Sequence, residues 1–198
     1  MAIHKLRQFV GVMDDLVDTV DNEAVLLERG STALRELISV DDWLPDAYAQ
    51  ASLDRYQQFL LYADVRQRFS VVSFVWGPGQ QTPIHDHTVW GLIGVLRGAE
   101  LAAPFARNHG GTLQQSGEEV RLERGAVEAV SPTIGDIHRV RNAYDDRVSV
   151  SIHVYGANIG AVHRSTYPPN APPKPFISGY SNETVPNLWD LSKESRLS

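Results

Sequence analysis

No cysteine occurs in the 198-residue chain, which excludes disulfides, thiolate-held metals, iron–sulfur clusters and cysteine nucleophiles together. Any bound metal must be held by histidine, carboxylate or water. Positive charge is also short: 18 Lys and Arg stand against 24 Asp and Glu, for a net charge of −6. No Lys/Arg cluster supplies the electrostatic footprint of a nucleic-acid binder. A long apolar run is missing too. The opening stretch is broken at Asp14 and Asp15, which fits neither a signal peptide nor a membrane span. The expectation is a cytoplasmic protein with a small-molecule partner, no nucleic acid and no membrane. Hydrophobic content of 42% and charged content of 21% are ordinary for one globular domain of this length.

The first fifty residues read as helical. Leu6, Phe9, Val10, Met13, Leu16 and Val17 recur at spacings of three and four with Asp14, Asp15 and Asp18 between them, the pattern of an amphipathic helix. Asn22 can cap a second helix ending near Gly30, and Ser31 or Thr32 a third over Leu34 to Ile38. Trp43-Leu44-Pro45 interrupts, and a short helical piece follows around Ala47 to Ala51. Beyond residue 52 the character changes to short β-rich runs: 55–62, 69–76, 99–107, 111–116, 120–122, 126–130, 139–142 and 148–155. Turn signals separate them at Gly77-Pro78-Gly79, Asn108-His109-Gly110-Gly111 and Tyr144-Asp145-Asp146. Many short strands between such turns indicate a mainly β sandwich or jelly roll. This divides the chain into a helical region (1–52), a β-barrel (53–165) and, from Thr166, a proline-rich extended arm (166–198).

Within 79–98, GQQTPIHDHTVWGLIGVLRG, His85 and His87 are two apart. In a β-strand such residues share a face, so one strand can offer two imidazoles to one ion while Asp86 points away. Ser151, His153 and Tyr155 repeat that spacing. Such a row allows the serine to hold one imidazole nitrogen while the other meets the phenol. If a third histidine outside this row joins His85 and His87, three neutral imidazoles would leave a divalent ion its full charge and, for six-coordinate iron, about three open positions. Zinc, which would generate a hydroxide nucleophile, is the rival, and the ligand set alone does not choose. His4, His109 and His163 are expected to be non-ligands.

Gly79, His85, His87 and Gly98 resemble the first motif of the cupin superfamily, with Gly91 where many cupins carry a ligand glutamate. Gly125, Pro132, Gly135, His138 and Asn142 are similar to the second motif, with one extra residue in each of the first two gaps. Together with the Ser151-His153-Tyr155 row, these residues resemble the thiol dioxygenases, the cysteine dioxygenase branch of the cupins, over roughly residues 50 to 170. The resemblance implies a cupin double-stranded β-helix in which His85, His87 and His138 hold Fe(II). It also implies that Ser151, His153 and Tyr155 form an outer hydrogen-bonded network, and that a small thiol reacts with O2 to give its sulfinate.

In mammalian-type members a cysteine near the Gly91 position is crosslinked to the strand tyrosine, and an arginine stands where Gln58 aligns; this chain has neither. Glutamine there is similar to the bacterial branch typified by 3-mercaptopropionate dioxygenase, in which a later arginine, matching Arg164, meets the substrate carboxylate. The expected substrate is therefore 3-mercaptopropionate, with cysteine second. A non-catalytic cupin that binds a metal or small molecule is the expectation from a different class.

Overall fold

The computed structural model describes residues 3–169 and 171–191. The end of the expected arm, 192–198, lies outside them. Helices α1 (His4–Thr19) and α2 (Glu23–Leu37) pack together against one face of a β-sheet. The apolar stripe of α1 is the one its spacing predicts: Leu6, Phe9, Val10, Met13 and Leu16 are buried. Asn22 caps α2, its side chain accepting from the Val25 N–H.

The predicted break at Gly30 is absent, and the second and third helices are one. Gly30 sits where a Cβ would lie 2.8 Å from Leu92 Cδ1 and 3.6 Å from Met13. The missing side chain lets α2 approach the sheet, and that packing outweighs a helix-propensity deficit of about 1 kcal/mol. Beyond the helix, Trp43 is fully buried and donates its indole N–H to the Leu37 carbonyl at 2.9 Å, satisfying one of the helix's orphan acceptors. The expected helical piece at 47–51 is a single 3-10 turn, Asp46–Tyr48.

Among the described residues all strand pairs are antiparallel. The main sheet has the order β1 (Gln57–Ala63), β2 (Ser70–Trp76), β9 (Ser149–Tyr155), β3 (Gly91–Arg97), β7 (Val127–Val130). Opposite it, β4 (Ala99–Arg107) pairs with β5 (Leu113–Gln115), β6 (Val120–Glu123) and β8 (His138–Asn142). Side chains from both sheets form the barrel interior: Val72, Phe74, Trp76, Val95 and Tyr155 from one, Ala102, Leu122 and Val140 from the other. The reverse face of the main sheet carries Val71, Leu92, Leu96 and Ile152 against the helices. The architecture is a mainly β double-stranded β-helix with two N-terminal helices.

The turn between β1 and β2 is tied down by Asp64, which accepts from the backbone N–H groups of Arg66 and Arg68 and from the Arg68 guanidinium. Arg68 reaches on to Asp14 and Asp18 of α1, fastening helix to barrel. The chain after Thr166 folds back. Strand β10 (Arg164–Thr166) pairs with β11 (Lys174–Phe176), and Ser181 and Asn182 bond the edge of β1 at Gln58 and Leu60. Among the described residues no helix is long and apolar enough to cross a membrane.

Candidate metal centre

His85 and His87 do not lie on a regular strand, contrary to the expectation. Residue 85 forms isolated bridges to His138 and Thr166, and Thr88 turns the chain with φ +61°. The convergence has another cause. His85 and His138 exchange both backbone N–H···O bonds at 3.0 Å, making them direct antiparallel partners whose side chains project to one side. His87 joins from the same extended segment, and Asp86 between them points away, as predicted. Its carboxylate accepts from the Ser165 N–H at 2.7 Å and the Tyr167 hydroxyl at 2.6 Å, clamping the histidine segment to β10.

The ligand-capable atoms of His85, His87 and His138 lie within 4.8 Å of one another, and all three residues are buried. His85 Nδ1 faces the Pro83 carbonyl and His87 Nδ1 the Asp136 carbonyl, each at 3.0 Å. A carbonyl only accepts, so both Nδ1 atoms carry the hydrogen, leaving the Nε2 lone pairs free for a metal. Burial pulls the pKa of His85 down to about 4. It pulls those of His87 and His138 well below the usual value, with the neighbouring histidines adding to the effect. Neutral imidazole is the ligating form, so the set fits a divalent cation. His4, His109 and His163 are exposed and take no part in this cluster.

Ser151, His153 and Tyr155 lie on one face of β9, all buried. Ser151 Oγ is 2.8 Å from His153 Nε2, and His153 Nδ1 is 2.7 Å from the Tyr155 oxygen. Phe74 stacks on the His153 ring at 4.0 Å, and Trp76 donates to Ser151 Oγ at 3.3 Å. Burial lowers the His153 pKa to about 3 and raises that of Tyr155, so both are neutral. The Tyr155 ring stacks on His87 with centroids 5.4 Å apart, which joins the row to the histidine cluster. Gly91, opposite Tyr155 in the β3–β9 register, is closely packed: a Cβ would meet the Tyr155 ring at 3.0 Å, so a side chain there would need the ring to give way.

Arg164 is 5% exposed. Its Nη2 donates to Ser178 Oγ at 2.6 Å, its guanidinium lies 4.6 Å over the Phe176 ring, and its Nε is buried with no partner. Its charge acts on His85, His87, Tyr56 and Tyr155. The site thus combines neutral imidazoles with a cation that has unused donor capacity, an arrangement suited to an anionic ligand. Gln58 is half-buried and in phase with Tyr56 and Leu60, which contribute to the barrel interior. Tyr56, two residues away, lies within reach of the Arg164 charge, while the bonds Gln58 makes to Ser181 of the tail are through its backbone.

Four contributors were not legible in the spacing. Asp136 bonds the backbone of His87 and Thr88 as well as orienting the His87 ring. Ser178, from the proline-rich tail, holds Arg164. Tyr56 extends the aromatic stack over Phe74 and Trp76. Glu100 is wholly buried in the barrel near Ser151. Only the last left a signal, a carboxylate on the inward-facing phase of an otherwise apolar run, Ala99-Glu100-Leu101-Ala102-Ala103.

Fold and site together define a cupin-type barrel with a buried three-histidine centre. The sequence profile of the cysteine dioxygenase type I family matches residues 4–166, and the chain belongs to that family. Among solved structures, it is similar to a Klebsiella pneumoniae protein with a double-stranded β-helix domain (18% identity, 57% of this chain and 82% of that one, TM-score 0.46). It is also similar to an RmlC-like cupin from Desulfovibrio desulfuricans (21% identity, 59% and 96%, TM-score 0.43). A third is an oxalate oxidase (15% identity, 61% and 60%, TM-score 0.44).

Proposed function

We propose that the protein is an Fe(II)-dependent thiol dioxygenase that converts a small thiol carboxylate, 3-mercaptopropionate in the first instance, to its sulfinate with O2. The observation that supports this reading is the proximity of three metal-competent histidines, the Ser151-His153-Tyr155 chain stacked on His87, and a buried arginine with a free donor whose charge reaches His85, His87 and Tyr155. His85, His87 and His138 would hold the iron, which supplies what no side chain here can, acidification of the thiol and activation of O2. Arg164 would take the substrate carboxylate, its Nε filling the unmet bond, with Ser178 and Phe176 keeping the fork in place. Gln58 would line the carboxylate end of the pocket as a neutral donor. His153, held by Ser151, would orient the Tyr155 hydroxyl toward the reacting groups. The closed barrel interior would keep bulk water away from the oxidised sulfur.

Cysteine differs from 3-mercaptopropionate by an α-ammonium. In this cavity that group would meet neutral imidazoles and the Arg164 cation, while Asp86 is engaged with Ser165 and Tyr167. A desolvated ammonium without an acceptor costs about 1–3 kcal/mol, several-fold to several-hundred-fold in kcat/KM. O2-electrode kinetics on the iron-loaded protein with 3-mercaptopropionate, cysteine and cysteamine test this. The order expected places 3-mercaptopropionate first; a preference for cysteine would move the assignment to that substrate, and no uptake with any thiol would leave a binding cupin.

A further inference from the structure

Glu100 enters the barrel interior from β4 and is 0% exposed. Opposite it on the paired strands stand Leu122 of β6 and Asn142 of β8, neither of them charged. Neither carboxyl oxygen has a hydrogen-bond partner. The polar groups that face it are the Ser151 hydroxyl and the Trp76 indole N–H, and both favour its ionised form. Trp76 already donates to Ser151 Oγ. A hydroxyl oxygen accepts twice and donates once. With one lone pair taken by Trp76 and one contact taken by His153, Ser151 has a single bonding position left, and Glu100 is the group there to fill it.

We propose that Glu100 is a positioning residue that ends a four-member hydrogen-bond chain, Glu100–Ser151–His153–Tyr155, and that its protonation state sets which way the Tyr155 hydroxyl hydrogen points. When Glu100 is protonated, it donates to Ser151 Oγ, Ser151 donates to His153 Nε2, and His153 Nδ1–H donates to the Tyr155 oxygen. The Tyr155 O–H is then free to donate to a group bound at the histidine site, beside which the ring lies. When Glu100 loses its proton to solvent, the order reverses. Ser151 donates to the carboxylate, His153 carries its hydrogen on Nε2, and Tyr155 donates to Nδ1, offering the cavity only lone pairs. Ser151 makes three bonds in either state, and the two states differ by one proton.

Burial raises the Glu100 pKa to about 7, and the carboxyl of Glu128 on β7, itself raised by burial, adds to the rise. The other titratable groups on the chain are His153 and Tyr155 of β9, both held neutral by burial. The two orientations therefore exchange within the working range of most enzymes. The catalytic consequence rests on the thiol dioxygenase reading; the chain itself does not.

Infrared difference spectroscopy of the metal-loaded protein tests the chain without turnover. The carbonyl stretch of a protonated carboxylic acid should decay as pH rises through about 7 and be missing in Glu100→Gln. Because Ser151 favours the carboxylate, Ser151→Ala should move that midpoint upward. The Tyr155 C–O stretch, identified by its loss in Tyr155→Phe, should shift over the same range in the wild type and stay constant in Glu100→Gln. In turnover, wild-type kcat/KM should fall relative to Glu100→Gln by about tenfold for each pH unit above the midpoint. A carboxyl band that does not titrate, a midpoint indifferent to Ser151→Ala, or a Tyr155 stretch indifferent to Glu100 would each overturn the proposal. Absence of turnover with every thiol would instead reject the thiol dioxygenase reading and leave the infrared results to decide the chain.

Discussion

Arg164→Ala should discriminate between substrates that carry a carboxylate and those that do not. The guanidinium is 5% exposed, spends one donor on Ser178, and keeps its Nε unpaired. In the proposed complex that donor and a second N–H meet the two carboxylate oxygens. Hydrogen bonds to charged groups contribute about 1.5–3 kcal/mol each. Truncating one partner of a buried charge pair costs about 2–5 kcal/mol, because the other charge is left unpaired. At 1.36 kcal/mol per decade this is about 30-fold to several thousand-fold in kcat/KM for 3-mercaptopropionate, expressed mainly in KM. Cysteamine has no carboxylate and loses only what the common packing against Phe176 contributed. Arg164→Lys, with the charge but not the planar fork, should fall between. Steady-state kinetics on both thiols with iron content measured in parallel is the assay. Equal losses on the two substrates would show that Arg164 does not read the carboxylate.

The remaining outcomes concern the metal, the strand row and acid stability. His138→Ala should lose most bound iron while His109→Ala, an exposed position, keeps it; elemental analysis of the purified variants would reveal full occupancy in His138→Ala and reject the ligand set. Tyr155→Phe and His153→Asn should lower kcat/KM with iron nearly unchanged, and a matching loss of metal would make the row structural instead. Asp64 accepts from Arg68, which with two backbone N–H groups holds its pKa down to about 2. A depressed carboxylate stabilises the fold above its unfolded value of about 3.9, and this is lost as pH falls through about 2. Thermal melts should therefore show Asp64→Asn less stable than wild type at neutral pH, with the gap narrowing in acid; a gap independent of pH would contradict the linkage.

Period and spacing carried much of the architecture and part of the site. The α1 stripe stands where its pattern puts it, since a helix that buries one face records that in its spacing, and the strand at 99–107 stands where its β-rich run ends in a turn signal. Ser151, His153 and Tyr155 were readable for the same reason: a regular strand turns a spacing of two into a shared face. His85 and His87 reach one cluster by another route, a bridge to His138 that only pairing across some fifty residues can create. Gly30 misled because a glycine that stops a helix and one that lets it lie close to a sheet look identical until Leu92 is in place. The partners of Arg164 were hidden because the tail returns to the barrel, and proline content signals an extended chain without saying where it lies.

The central claim is tested most directly by a single-substrate turnover of 3-mercaptopropionate under isotopically labelled O2 gas, with iron-loaded wild type and the product read by mass spectrometry. The account predicts a sulfinate in which both added oxygen atoms carry the label, with one O2 consumed per thiol and no product from zinc-loaded protein. A disulfide as the main product, a single labelled oxygen, or equal activity with zinc would contradict it.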